Sequence, residues 1–169
     1  MQQAELERRI EELHAASFGW ALSCCRRNRQ EAEDVLQDVY MKILDGRARF
    51  DGRSSLKTWL FAVIRRTAAA HARRGALHDF LLARWARREP DPDRPDPHAA
   101  AEQSQAAAAL IAALRTLARR QREVLELVFY HGMTVEEAAA ALDLSIGSAR
   151  VHYHRGKQRL LAALNGARR

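Results

Sequence analysis

The segment 146–160 carries the side chains whose types and spacing best suit contact with a nucleic acid. It reads IGSARVHYHRGKQRL, and six of its 15 residues are Arg, Lys or His. Arginine can donate two parallel hydrogen bonds to a guanine edge, and neighbouring cations neutralise phosphates. We therefore expect its outer face to bind DNA. The residues expected to make these contacts are Ser148, Arg150, Val151, His154 and Arg155.

The same segment has a second face that is suited to packing. Ala149, Tyr153, Gly156 and Leu160 follow one another at i, i+4, i+7 and i+11, which places them on one side of a helix. This face is expected to seat the helix on its domain. An ordinary solvated helix surface is the alternative reading of the basic residues when they are taken alone.

Signals upstream of this segment predict a helix-turn-helix. Thr134 followed by Glu137 fits a capping box at the start of a short helix. The residues Asp143, Leu144 and Ser145 then predict a tight break, in which Ser145 caps the next helix. Two helices joined by about three residues are the arrangement found in many DNA-binding domains.

The charges of the chain fall into three segments. The formal net charge is +7 and the pI is about 10.2. Residues 1–88 carry 17 basic and 11 acidic side chains, residues 89–103 carry one and five, and residues 104–169 carry ten and five. Two basic segments around an acidic one favour an anionic partner, with nucleic acid ahead of an acidic membrane.

The acidic segment also contains all four prolines, in the run EPDPDRPDPH. Proline lacks a backbone donor and holds the preceding residue in an extended conformation, so no helix is expected to cross this run. We predict an all-α protein of two small helical domains, 1–88 and 104–169, joined by a flexible linker at 89–103. The predicted helices span 5–28, 30–45, 56–74, 77–87, 100–117, 119–131, 134–142 and 146–164. Gly75 is expected to stop or kink the third.

Residue patterns typical of enzymes are missing from the sequence. The seven histidines are scattered, and no metal-ligand motif, nucleophile elbow or phosphate loop occurs. Cys24 and Cys25 are adjacent, so buried packing is favoured over a redox or metal role. We expect no catalytic residue, no metal and no cofactor. A charged N-terminus and the lack of a long apolar run predict a cytoplasmic protein.

Three segments resemble bacterial RNA polymerase sigma factors of the extracytoplasmic-function (ECF) group of the sigma-70 family. They are residues 31–44, 50–66 and 117–160, and they occur in family order. They read EAEDVLQDVYMKIL, FDGRSSLKTWLFAVIRR and LARRQREVLELVFYHGMTVEEAAAALDLSIGSARVHYHRGKQRL. The resemblance implies a promoter-specificity factor with a region 2 domain for the −10 element and a region 4 domain for the −35 element. It implies no small-molecule substrate.

The resemblance also assigns residues to partners. The polymerase core would be bound through its clamp helices, on the largest subunit, by a stripe with i, i+3, i+4 and i+7 spacing: Asp34, Gln37, Asp38 and Met41. Aromatic and cationic groups together suit single-stranded DNA, and Trp59 is expected in the core. The end of its helix and the loop after it would hold a flipped base. The −10 contacts would come from Arg53, Lys57, Arg65, Arg66, Arg73 and Arg74.

Two further expectations concern regulation and the main rival reading. Many members of the family are silenced by an anti-sigma factor, so such a partner is expected here. The alternative is a stand-alone helix-turn-helix regulator, which would bind an operator tightly without polymerase. A sigma factor would bind DNA weakly until the polymerase core is added.

Overall fold

A computed structural model describes residues 3–86 and 105–166 of the chain. Within these residues there are eight α-helices and no strand, which confirms the predicted all-α fold. The chain divides into two compact units, Met1–Asp96 and Pro97–Arg169. The predicted linker at 89–103 lies outside the described residues, and the exact domain limits stay a prediction.

The first unit contains four described helices. Its core forms where the second, third and fourth pack together, around side chains such as Trp20, Val39 and Phe61, all fully buried. Trp20 Nε1 donates to the Phe61 carbonyl over 3.1 Å, and the two rings stack with centroids 5.9 Å apart. A buried indole N–H needs such a partner. The four helices are α1 (Gln3–Glu12), α2 (His14–Cys24), α3 (Arg29–Leu44) and α4 (Leu56–Ala86).

The prediction of one helix over 5–28 is wrong. The helix is interrupted at Leu13, between α1 and α2, and α2 ends at Cys24. Arg26 and Arg27 then adopt left-handed backbone angles, with φ of 53° and 68°. Asn28 begins α3, and its side chain accepts from the Glu31 amide over 3.0 Å. This cap satisfies an amide at the start of α3. If the first helix ran through to residue 28, Asn28 would be helical and could not cap α3 in this way.

Gly75 neither stops nor kinks the third predicted helix into two. Instead, α4 runs unbroken from Leu56 to Ala86 and absorbs the separate helix predicted at 77–87. A glycine inside a helix costs only about 1 kcal/mol relative to alanine. The flanking residues are mostly Ala, Arg and Leu, which are good helix formers, and they outweigh that cost. Ser55 caps the start of α4, because its Oγ accepts from the Thr58 amide over 3.2 Å.

The second unit is built around its last helix. Helix α8 packs against each of the other three, and Ala149 on its inner face is fully buried. Gly156 is also buried, and a Cβ at that position would lie 3.1 Å from Leu125 Cδ1 and 3.2 Å from Gln121 Cβ. The inner face predicted from the sequence is therefore confirmed. The helices are α5 (Gln105–Arg115), α6 (Arg119–Phe129), α7 (Val135–Leu142) and α8 (Ile146–Gly166).

Both predicted caps of the helix-turn-helix are present. Thr134 Oγ1 accepts from the Glu137 amide over 3.1 Å, and the Glu137 carboxylate accepts from the Thr134 amide over 2.9 Å. Asp143, with φ of 55°, ends α7 in the left-handed region. Ser145 Oγ then accepts from the Ser148 amide over 3.1 Å and starts α8. None of the helices that the structure describes combines the length and hydropathy needed to cross a membrane.

Candidate functional site

The outer face of α8 exposes all five residues that the sequence predicted for DNA contact. Ser148, Arg150, Val151, His154 and Arg155 are exposed, and Val151 keeps 46% of its surface accessible. Gly147, in the first turn, has open space where a side chain would be. A phosphate can therefore approach the free amides at the start of this helix.

Arg150 is joined to the preceding helix of the motif. Its Nη2 donates to Glu136 Oε1 over 2.8 Å, although 14 residues separate the two in sequence. This hydrogen bond is the largest cause that lowers the pKa of Glu136. Sequence reasoning missed Glu136, because contacts across the turn have no local periodicity. The acidic pair Glu136–Glu137 was the available signal, since the capping box uses only Glu137.

Aromatic side chains flank the outer face of α8. The Phe129 and Tyr153 rings stack with centroids 5.9 Å apart, and Tyr153 meets His154 edge-on at 5.6 Å. Phe129 is 62% exposed and its neighbour Tyr130 is 77% exposed. Tyr153 therefore packs against Phe129 of α6 and against its own neighbour His154. These contacts explain how an aromatic ring fits on the inner side of α8.

Helix α3 presents three of its four predicted contact residues to solvent. Asp34, Gln37 and Met41 are exposed, and Met41 retains 47% of its surface. Beside them, α2 and α3 enclose an open groove of about 440 Å³. The groove mixes aromatic, aliphatic and polar side chains. Its lining is His14, Phe18, Arg29, Glu33, Leu36, Gln37, Tyr40 and Met41.

Asp38, the fourth residue of the stripe, is only half-exposed and points toward α4. Its Oδ2 lies 3.0 Å from Lys42 Nζ, 3.0 Å from His71 Nε2 and 3.8 Å from Arg74 Nη2. The hydrogen bonds from His71 and then Lys42 lower the pKa of Asp38. This carboxylate therefore ties α3 to the basic part of α4, a contact that helical spacing alone does not reveal.

A second, basic cleft lies between α4 and the loop after α3. Its volume is about 340 Å³. Trp59 on its wall is half-buried and lies against Phe50, with ring centroids 5.4 Å apart. The expectation that Trp59 lies in the core is thus met only in part. The lining residues are Lys42, Arg47, Ala48, Arg49, Trp59, Val63, Arg66 and Thr67.

The six cations predicted for −10 DNA do not share one site. Arg66 lines the basic cleft, whereas Arg53 is 88% exposed in the loop and lies 3.6 Å from Asp51. Lys57 Nζ sits 5.7 Å from the centre of the Phe61 ring. The other three follow along α4, where Arg65 is half-buried and Arg73 and Arg74 are exposed. Sequence reasoning overlooked Arg47 and Arg49, although both are basic residues in the loop beside Gly46.

The structure offers little for metal or thiol chemistry. Among the described residues, no group of three or more His, Cys, Asp or Glu side chains could hold a metal ion. Cys25 is buried, and burial together with Glu31 raises the pKa of its thiol to about 12. A thiol with that pKa stays protonated and unreactive near neutral pH.

The two basic, helical units match two known regions of one protein family. Residues 10–77 match the family described as Sigma-70 region 2, and residues 107–160 match Sigma-70, region 4. The ECF RNA polymerase sigma factor SigX of Bacillus subtilis is 31% identical over 133 residues, which are 77% of this chain and 69% of SigX. The chain belongs to the ECF sigma factors. This sigma factor therefore directs promoter-specific initiation by RNA polymerase.

Two further comparisons extend this result. The RNA polymerase sigma factor CarQ of Myxococcus xanthus is 32% identical over 155 residues, covering 87% of this chain and 82% of CarQ. Among solved structures, the sigma factor RpoE of Bartonella quintana, in complex with the anti-sigma factor NepR, has a TM-score of 0.70. It is 24% identical and covers 95% of this chain and 97% of RpoE. That likeness supports the fold.

Proposed function

We propose that this sigma factor binds its partners through three separate surfaces, which lie on α3, α4 and α8. Residues 1–88 would form the region 2 domain, 89–103 the linker and 104–169 the region 4 domain. The single observation that carries the proposal is the contrast between α3 and α8. Helix α3 exposes acidic, polar and apolar groups beside a groove, whereas α8 exposes donors and cations from a helix that is firmly packed underneath.

The polymerase core binds to α3 in this proposal. Asp34 and Gln37 offer polar contacts, and Met41 with Leu44 adds exposed apolar surface at 47% and 58%. An acidic and apolar surface repels DNA phosphates and suits a basic protein helix. The clamp helices of the largest polymerase subunit are the proposed partner. Asp38 contributes only at the edge of this surface, because its carboxylate already accepts hydrogen bonds from the Lys42 and His71 side chains.

Region 2 holds the −10 strand along α4. The basic cleft brings Trp59 together with Arg49 and Arg66, and so combines a flat ring with charge. Stacking and phosphate neutralisation are the two contributions that single-stranded DNA binding requires. A base leaving the duplex needs stacking and hydrogen bonds in return. Helix α4 continues past Arg74 to Ala86, where the sequence predicted a loop, so the cleft takes the role expected of that loop.

Region 4 reads the −35 element with α8. The exposed arginines and His154 donate to base edges and phosphates, and Val151 provides an apolar contact. The close packing of Gly156 on α6 fixes how far α8 projects.

Regulation by an anti-sigma factor is also part of the proposal. The Bartonella sigma factor of similar fold was solved with its anti-sigma factor bound. In this chain, the groove beside α3 and the exposed Met41 and Leu44 would suit a covering protein helix. The protein would act in the cytoplasm, where polymerase works, and the polymerase would supply all the catalysis.

Run-off transcription with purified bacterial core polymerase tests the proposal. Met41→Glu should weaken core binding, with Ala4→Glu, at an exposed site on α1, as the control that adds the same charge. Arg155→Ala should leave core binding intact but reduce promoter selection, with the exposed Arg8→Ala as its control. If the wild-type protein with core starts RNA no more selectively than core alone, the proposal fails. Tight binding to an operator without core would favour the stand-alone regulator.

A further inference from the structure

The surface of region 4 that faces DNA contains one carboxylate that needs an explanation. Glu136 lies in the first turn of α7 and is exposed, yet its side chain reaches across to α8. A negative charge beside a phosphate backbone weakens general DNA affinity. The general explanation would be that an acidic residue stabilises the N-terminus of a helix. However, Glu137 in the same turn already closes the capping box.

We propose that Glu136 is a positioning residue that sets which base pair Arg150 reads. This inference rests on the proposed −35 role of α8. An exposed arginine samples many rotamers when no DNA is bound. Restricting it to one rotamer on binding costs conformational entropy, which reduces the affinity of its contact with DNA. The 2.8 Å hydrogen bond from Nη2 to Glu136 Oε1 takes up one end of the guanidinium. The remaining N–H groups are then presented in a restricted orientation.

The geometry fits such a role. The arginine and the glutamate lie on the two helices of the motif, which pack on each other, so the fold fixes the backbone positions from which the two side chains meet. The hydrogen bond with Arg150 is the first cause of the lowered pKa of Glu136, so the anchor stays charged at neutral pH. An exposed ion pair adds little to folding stability. Removing Glu136 should therefore leave region 4 folded and change recognition alone.

The experiment compares −35 preferences in a double-mutant cycle. Full-length protein with core polymerase is used to select bound duplexes from a promoter library with a randomised −35 segment. Arg150→Ala identifies the base pair that depends on Arg150. Glu136→Ala should reduce discrimination at that same base pair by about fivefold or more, the lower range for one bidentate arginine contact. The double variant should match Arg150→Ala, because Glu136 acts only through Arg150.

A matched control separates orientation from charge. Asp143→Asn removes the same charge from the same motif, and asparagine tolerates the left-handed conformation found there. This variant should keep the wild-type preference at every −35 position, even if its general affinity for DNA rises. Glu136→Gln keeps an acceptor oxygen and should retain part of the discrimination.

Three results would overturn the inference. If Glu136→Ala has the wild-type preference while Arg150→Ala does not, the positioning role is wrong and the proposed −35 site stands. If Arg150→Ala itself leaves the preference unchanged, the proposed contact by Arg150 fails, and the inference fails with it. A double variant that loses clearly more than Arg150→Ala would show a second role for Glu136 and contradict the mechanism.

Discussion

Asp38 connects the helix proposed for polymerase to the helix proposed for DNA. Its Oδ2 lies 3.0 Å from His71 Nε2 on α4 and 3.0 Å from Lys42 Nζ on its own helix. Lys42 Nζ also donates to Thr67 Oγ1 over 3.1 Å, so the contact continues along α4. The stability of region 2 therefore depends on the charge of this carboxylate.

This relationship predicts an acid-dependent change in stability. The pKa of Asp38 is lower in the folded state, chiefly through His71. Its contribution is therefore complete above the unfolded pKa of about 4 and is lost as the pH falls through the lower folded value. Asp38→Asn should reduce the free energy of unfolding by about 1 kcal/mol at neutral pH. The difference from wild type should shrink below about pH 4.

Urea unfolding at a series of pH values measures this change. Asp34→Asn is the control, because its exposed carboxylate accepts from the neutral Gln30 side chain one turn earlier. A loss for Asp38→Asn that is the same at pH 3 and pH 7 would contradict the electrostatic explanation.

Two glycines in helices should respond oppositely to larger side chains. Nothing lies within 4 Å of a Cβ built on Gly75, so Gly75→Ala should stabilise region 2 by about 1 kcal/mol through helix propensity. Gly156 packs on Leu125 and Gln121, so Gly156→Val should destabilise region 4 by about 1–3 kcal/mol. Thermal unfolding of the two variants checks this. Equal effects at both positions would mean that α8 is not held closely against α6.

Ser17 predicts a stabilising substitution. It is fully buried in α2, and its Oγ has no hydrogen-bond partner among the described residues. An unsatisfied buried hydroxyl destabilises a fold, and alanine favours a helix more than serine does. Ser17→Ala should raise the free energy of unfolding by about 1 kcal/mol. Ser23→Ala, at a half-buried position of the same helix, is the comparison. A loss of stability for Ser17→Ala would show that the hydroxyl is satisfied in solution.

Cys25 should resist thiol reagents while the protein is folded. Burial and the nearby Glu31 raise the pKa of its thiol to about 12, so almost no thiolate is present at pH 8. In a Cys24→Ser variant, Cys25 should react with a disulfide reagent only after guanidinium unfolds the chain. Absorbance of the released thiolate follows the reaction. Labelling of the folded variant at the rate of a free cysteine would disprove the buried position.

Local sequence signals predicted the second unit better than the first. The caps at Thr134 and Ser145 and the inner face of α8 depend on neighbours within a few residues, so the sequence shows them directly. Gly75 misled the prediction, since the tendency of one residue was outweighed by the helix around it. The Asn28 cap was readable, because Glu31 follows it three residues later.

Contacts between helices could not be predicted in the same way. Asp38 was assigned to an outer stripe from its spacing on α3, but its partner His71 is 33 residues away. Likewise, the pair of Glu136 and Arg150 forms only after two helices pack. Periodicity states which residues share a face, whereas the neighbours of that face depend on the tertiary fold.

The unbroken course of α4 makes the spacing of its cations sensitive to insertions and deletions. A helix advances about 1.5 Å and turns about 100° per residue, so Arg66 and Arg74 are about 12 Å apart along one rigid axis. Losing a single residue between them would turn Arg74 by about 100° around the helix axis and move it away from Asp38. Relatives that share the role proposed for α4 should therefore vary in the side chains of this helix while conserving its length.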